Sequence, residues 1–136
     1  MQIGFKVKRI AELGLTAQNV IHVYGDDQRL AQLYQHADFF IYPSLYEGFG
    51  LPPLEAMANS CPVLSSNTSC LLEVIGDAAN FFDPLASESI RHSMEVLAYS
   101  PTEKEKLIAL GSRRILNFTW QKTAQETLSI YQKLGG

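Results

Sequence analysis

Four short runs of β-branched and aromatic residues, each closed by a turn signal and separated by helical patterns, restrict the fold of this chain more than any other feature. They are Val20 to Tyr24 before Gly25-Asp26, Phe39 to Tyr42 before Pro43-Ser44, Pro62 to Ser65 before Asn67, and Asn80 to Phe82 before Asp83-Pro84. Between them, Gln28 to Gln35 sets Leu30, Leu33 and Tyr34 on one helical face. Pro53 to Ala58 and the shorter Leu71 to Ile75 read as two further helices. Such alternation needs crossover connections, so it predicts βα units and a parallel sheet of about four strands. Phe39-Phe40-Ile41-Tyr42 is apolar without a break, as expected of a sheet covered on both faces. Ligands of such sheets bind beyond the carboxyl ends of the strands. Here that rim carries Gly25-Asp26, Pro43-Ser44 with the glycine-rich loop after it, and the polar run Ser65 to Ser69. All three strand ends are expected to converge on that loop.

The last third changes to helices alone. Ser87 to Tyr99 spaces Ile90, Met94 and Leu97 helically, and Ser100-Pro101-Thr102-Glu103 has the form of a capping box with proline at the first helical position. A final helix after Thr119 carries the stripe Trp120, Ala124, Leu128 and Tyr131, which reads as core material. At 136 residues with 46% hydrophobic content, the chain has the size of one domain, about 100 to 150 residues.

The chemistry concentrates in residues 42 to 58, YPSLYEGFGLPPLEAMA. Glu47 and Glu55 stand seven residues apart across Gly48, Phe49, Gly50, Leu51 and two prolines. Gly48 and Gly50, lacking a Cβ, let the backbone approach a ligand closely. Pro52-Pro53 open a helix whose first N–H groups and positive dipole end suit an anion such as a diphosphate. Glu55 falls in or just after that first turn, and Glu47 lies outside it on the loop. Carboxylates beside a phosphate would repel it unless they face hydroxyls, and a carboxylate is an acceptor suited to a sugar diol. The plain alternative for Glu55 is a helix-start acid, worth about 0.3 to 1 kcal/mol.

The run PSLYEGFGLPPLEAM resembles the E-x7-E signature of the retaining glycosyltransferases of GT-B fold, in particular their very large fourth family, group 1, which uses nucleotide-diphosphate sugars. Further matching landmarks, in order, are Asn19-Val20, Leu33-Tyr34 with Ala37-Asp38, Pro62-Val63 with Ser66-Asn67, and Glu73-Val74 with Gly76-Asp77-Ala78-Ala79. Asp83-Pro84 and Phe118-Thr119-Trp120 complete the series, so the likeness covers roughly residues 9 to 133. The resemblance implies that Glu47 lies at the donor sugar as the catalytic carboxylate and that Glu55 binds the nucleotide ribose. The backbone N–H groups of Phe49, Gly50 and Leu51, beside Gly48, would face the phosphates and sugar. It implies no metal and no cofactor, because these enzymes neutralise the diphosphate with protein groups.

On that basis the chain is expected to be a partial Rossmann-like domain over 1–136, the donor-binding half of a two-domain GT-B enzyme. The acceptor domain and the first βα units, with their diphosphate-binding Arg/Lys pair, would lie outside it. The expected donor is a GDP- or UDP-hexose, a mannose on GDP being the first choice by resemblance. The expected acceptor is a glycan or a lipid-linked one, bound through the missing domain. Two other classes stay open: a non-catalytic nucleotide-sugar-binding or interaction module, and a nicotinamide-dependent oxidoreductase, which is disfavoured because no G-x-G-x-x-G follows any strand.

Charge and cysteine usage narrow the field further. Eleven basic against 14 acidic residues, net −3, argue against a nucleic-acid footprint. Lys6, Lys8 and Arg9 make one small basic cluster, read as a solvated helix face. No apolar run approaches the about 20 residues of a membrane span, so a cytoplasmic location is expected, with peripheral membrane contact in a full-length parent. Cys61 and Cys70 lack metal-ligand spacing and are read as free thiols. His22, His36 and His92 are read as structural or solvated. A sheet without its first strands would expose an edge, so the fragment is expected to self-associate.

Overall fold

The computed structural model describes residues 8–135; Lys6 of the basic cluster lies outside them. A short helical stretch at residues 8–12 precedes an irregular segment. The elements that follow are α1 (Asp27–His36), β1 (Phe40–Tyr42), α2 (Leu51–Ala58), β2 (Val63–Ser66), α3 (Leu71–Ile75) and β3 (Ala79–Phe82). Then come α4 (Ser87–Tyr99), α5 (Pro101–Arg114), a 3-10 turn (Ile115–Asn117) and α6 (Trp120–Leu134).

The three strands form one parallel sheet in the order β1-β2-β3, with Ile41 opposite Leu64 and Leu64 opposite Asn80. The α/β class and parallel pairing agree with the sequence pattern, but the sheet has three strands where four are expected. Val20 to Tyr24 pairs with no strand among the described residues, and Val20, Ile21, Val23 and Tyr24 are all exposed. A run becomes a strand only where its N–H and C=O groups meet a partner's, and this one does not lie along the outer edge of β1, which is left open among the described residues.

Strand β2 is buried along its whole length. Successive side chains of a strand point to opposite faces, and the two faces of the sheet accordingly carry separate apolar clusters. Val63, with Phe40 and Tyr42, packs among Leu54, Ala56, Met57, Leu71, Val74 and Ile75 from α2 and α3. Leu64 and Phe82, with Phe39 and Ile41, pack against Leu97 and Leu107 from α4 and α5. Gly111 lets α5 close on α2, because a Cβ there would lie 2.9 Å from Met57 Cγ.

Helix starts follow their local chemistry. Asp26 accepts from Arg29 N at 2.9 Å, Ser100 Oγ accepts from Glu103 N at 3.3 Å ahead of Pro101, and Thr119 Oγ1 accepts from Lys122 N at 3.1 Å. Two expectations about apolar faces are corrected. On α1 only Tyr34 is buried, while Leu30 and Leu33 are each 40% exposed. On α6 no residue is buried: Trp120 is 83%, Leu128 55% and Tyr131 69% exposed, so the stripe is not core among the described residues. No helix of the described residues is long and apolar enough to cross a membrane.

Candidate functional site

The loop from Pro43 to Gly50 leaves the carboxyl end of β1 and enters α2. It is held from below by the segment that leaves β2. Ser66 Oγ shares its one O–H between the carbonyls of Ser44 (2.5 Å) and Tyr42 (3.0 Å), and Thr68 Oγ1 donates to Ser44 O at 3.1 Å. Ser69 Oγ donates to Glu47 O at 2.7 Å and accepts from Glu47 N at 3.4 Å, while Cys70 Sγ donates to the same carbonyl at 3.2 Å. Ser69 takes φ 56, a left-handed backbone that costs a non-glycine residue about 1 to 2 kcal/mol and needs surrounding contacts to persist. Those contacts are its two bonds to Glu47. Gly25-Asp26 does not join this set: Asp26 caps α1 instead, so two of the three expected strand ends converge.

The Glu47 carboxylate is fixed through one oxygen. Oε1 accepts from Tyr42 OH at 2.6 Å and from Ser44 Oγ at 2.7 Å. Oε2 has no donor among the described residues. The Tyr42 bond, then the Ser44 bond, hold the Glu47 carboxyl below its usual pKa, so it is ionised at neutral pH. The same contact works in reverse on the phenol. Burial first, then the bond to Glu47 and its negative charge, with Tyr34 and Cys70 adding further, push Tyr42 up to about 12.

After Glu47 the chain offers donors. The N–H groups of Gly48, Phe49, Gly50 and Leu51 find no protein acceptor among the described residues. The helix begins at Leu51, two residues before the expected Pro53, with Gly50 as its N-cap. Pro52 and Pro53 thus sit inside the first turn and remove two of its N–H groups. The available donors are therefore those of the loop and Leu51 rather than those of the helix interior.

The two glycines differ. Gly50 has φ +88, and a Cβ there would lie 2.6 Å from Leu71 Cδ2, so the fold itself requires it. A Cβ on Gly48 would meet nothing within 4 Å, so the fold leaves open space over that residue. Phe49 lies edge-on to Phe118 at 5.7 Å, and the Arg114 guanidinium stacks over Phe118 at 5.2 Å. Arg114 donates through Nε to Val74 O at 2.8 Å and through its terminal nitrogen to Glu73 O, closing the end of α3.

Glu55 is exposed on α2, and no acidic residue occupies the first turn. Its carboxylate has no protein partner among the described residues and is not a helix-start cap. Its charge is felt by Tyr34, which burial first and then Glu55 and Cys61 push up to about 12. The structure thus brings Glu47 and the Gly48 to Leu51 donors into one loop and sets Glu55 one turn further along the helix that follows. Tyr42, Ser44, Thr68, Ser69, Cys70, Arg114 and Phe118 carry contacts that sequence reasoning did not assign. The polar run after β2 was the available signal for two of them, Thr68 and Ser69. Burial pushes the Cys61 thiol up to about 11, and neither cysteine is bonded to the other. A shallow cleft of about 530 Å³ lined by Arg29, Gln32, Leu33, Gln35, His36 and Ala37 lies along α1 and includes no residue of the Glu47 loop.

Comparison with known proteins bears on the same region. The profile of the family described as Glycosyl transferases group 1 matches residues 5–114. Over 132 residues the chain is 36% identical to the MMP alpha-(1->4)-mannosyltransferase of Mycolicibacterium hassiacum, covering 93% of this chain and 32% of that protein. Over 111 residues it is 38% identical to the O-antigen chain mannosyltransferase B of Escherichia coli, covering 82% of this chain and 29% of that protein. In fold it is similar to the sucrose-phosphate synthase of Thermosynechococcus elongatus, with TM-score 0.83 at 24% identity, over 95% of this chain and 33% of that one. The chain spans about a third of the length of these relatives.

Proposed function

Because this chain belongs to the glycosyl transferases group 1 family, we propose that it is the donor-binding part of a retaining glycosyltransferase. Such an enzyme moves a hexose from a nucleotide-diphosphate sugar to a glycan or lipid-linked acceptor. The observation that carries this reading is the Glu47 carboxylate, pinned through one oxygen by Tyr42 and Ser44 beside four free N–H groups from Gly48 to Leu51. An ionised acceptor next to a row of backbone donors suits a ligand that places hydroxyls beside phosphates.

Roles follow from position. Glu47 stabilises the donor sugar as positive charge develops at its anomeric carbon, since a fixed charge aimed at developing charge lowers a barrier most. Glu55, one turn into α2, takes the ribose hydroxyls. The N–H groups of Phe49, Gly50 and Leu51 bind phosphate and sugar oxygens, and Gly48 leaves room for them. GDP-mannose is the first donor to try, since two of the relatives are named mannosyltransferases; UDP-hexoses are the alternative. A cytoplasmic location, with peripheral membrane contact where the acceptor is lipid-linked, goes with this reading.

A second reading, nucleotide-sugar binding without transfer, is favoured by one observation. Arg114, the guanidinium stacked behind Phe49 through Phe118, is already committed to the carbonyls of α3. We expect the 136-residue chain to bind a nucleotide sugar without measurable turnover. Calorimetry with GDP-mannose and UDP-glucose, followed by transfer assays, tests both halves; no binding of either sugar nucleotide sinks the donor-site reading. In a full-length parent, Glu47→Gln should abolish most activity while leaving the melting temperature unchanged.

A further inference from the structure

Of the two hydroxyls that hold Glu47, one belongs to the sheet and one to the loop. Tyr42 is the last residue of β1, in register with Ser65 on β2, and its ring packs on Phe40 at 5.8 Å, which meets Tyr34 at 5.2 Å. Its position is therefore set by the core. Ser44 stands on the loop, and its Oγ also lies 3.3 Å from Tyr46 O, within the loop itself. We propose that Tyr42 is the positioning residue of the donor site, fixing Glu47 Oε1 to the sheet so that Oε2 is presented to a hydroxyl of the donor sugar. This rests on the donor-site reading above.

The chemistry of the contact says what Oε2 can accept. A phenol has one O–H, and Tyr42 spends it on Glu47 at 2.6 Å, so Tyr42 cannot donate to a ligand. A carboxylate oxygen left free and ionised needs a donor and repels phosphate. The group it meets is then a sugar O–H, and the preference for a sugar-bearing nucleotide over the bare diphosphate depends on Tyr42. The diphosphate itself is taken by the backbone donors and is indifferent to Tyr42. The titratable groups facing this contact are Tyr42 and Cys70, with Tyr34 behind Tyr42.

The test is calorimetric titration of the 136-residue chain with GDP-mannose, GDP, UDP-glucose and UDP, for the wild type, Tyr42→Phe and Ser44→Ala. A hydrogen bond to a charged group supports a loss of about tenfold, so Tyr42→Phe should lower the ratio of sugar-nucleotide to diphosphate affinity by about tenfold. The affinity for the bare diphosphate should stay within about twofold, which a general loosening of the fold would not allow. Ser44→Ala should lower the same ratio by less. An unchanged ratio in Tyr42→Phe, or a larger loss in Ser44→Ala, overturns the proposal.

If the wild type shows no preference for a sugar-bearing nucleotide, the donor-site reading fails by itself. The positioning is then read by carbon NMR of the Glu47 carboxyl across acid pH. Its titration midpoint should rise in Tyr42→Phe and more than in Ser44→Ala, and a midpoint that does not move overturns the role of Tyr42.

Discussion

Strand β2 is half serine and helix α6 carries an apolar stripe, yet all four residues of β2 are buried and none of the fifteen of α6 is. The strand has a hydrogen-bonded neighbour on each side and helices over each face. The helix has Trp120, Leu128 and Tyr131 at the right spacing and no surface of the described chain to lay them on. Periodicity announces that a face will be covered; it does not supply the cover. The same contrast runs between Tyr34, buried on the sheet side of α1, and Leu30 and Leu33 on the same helix, which are not.

The sharpest way to break this contrast is to delete equal volumes from the core that packs on β2 and from α6. Leu71 is fully buried and lies under Gly50, so Leu71→Ala should cost about 2 to 5 kcal/mol in urea unfolding. Next in size is the glycine that the fold requires. Gly50→Ala combines a left-handed backbone with a contact to Leu71 and should cost about 1 to 3 kcal/mol, whereas Gly48→Ala should stay within about 0.5 kcal/mol. Gly48→Ala should instead weaken nucleotide-sugar binding. Unchanged binding in that variant would mean that the space over Gly48 is not used.

Alkaline titration probes the site end of the packed region. Tyr34 and Tyr42 are both raised from 10.0 to about 12. Their contribution to stability is fully present below pH 10, where both states keep the proton. It is lost as pH rises towards 12, because the unfolded chain ionises first. After solvent screening the loss should be on the order of 1 kcal/mol for each tyrosine. Phe substitution at either position should flatten the decline between pH 10 and 12, and a decline unaltered by both substitutions would place its cause elsewhere.

The smallest effect on stability is expected on α6, where Leu128→Ala should change unfolding free energy by no more than about 0.5 kcal/mol. Association should respond more. An uncovered apolar stripe and an unpaired outer edge of β1 favour contact between copies. Sedimentation velocity at micromolar concentration should show species larger than a monomer, reduced by Trp120→Ser with Tyr131→Ser. A compact monomer throughout would mean that α6 is content in water.

Much of the frame is local chemistry and was legible in the chain. Gly50, the two prolines and the run that follows specify a turn into a helix; Ser100-Pro101 and Thr119 specify where two more begin; Pro62 to Ser65 reads as a strand ahead of the Asn67 turn. Each of these depends on residues a few positions apart. What only the tertiary structure decided depends on residues far apart in sequence. Val20 to Tyr24 has the composition of a strand, but a strand exists only where its N–H and C=O groups meet those of another, and here the run pairs with none although the outer edge of β1 is open. The hold on the backbone of the Glu47 loop joins residues 42 to 47 with residues 66 to 70 across a parallel crossover, and within the loop so fixed Tyr42 and Ser44 take one carboxylate oxygen and leave the other free. That division of Glu47 between its two oxygens depends on where the packed sheet sets the Tyr42 hydroxyl, at the end of β1 with its ring on Phe40, a placement that no spacing along the chain encodes.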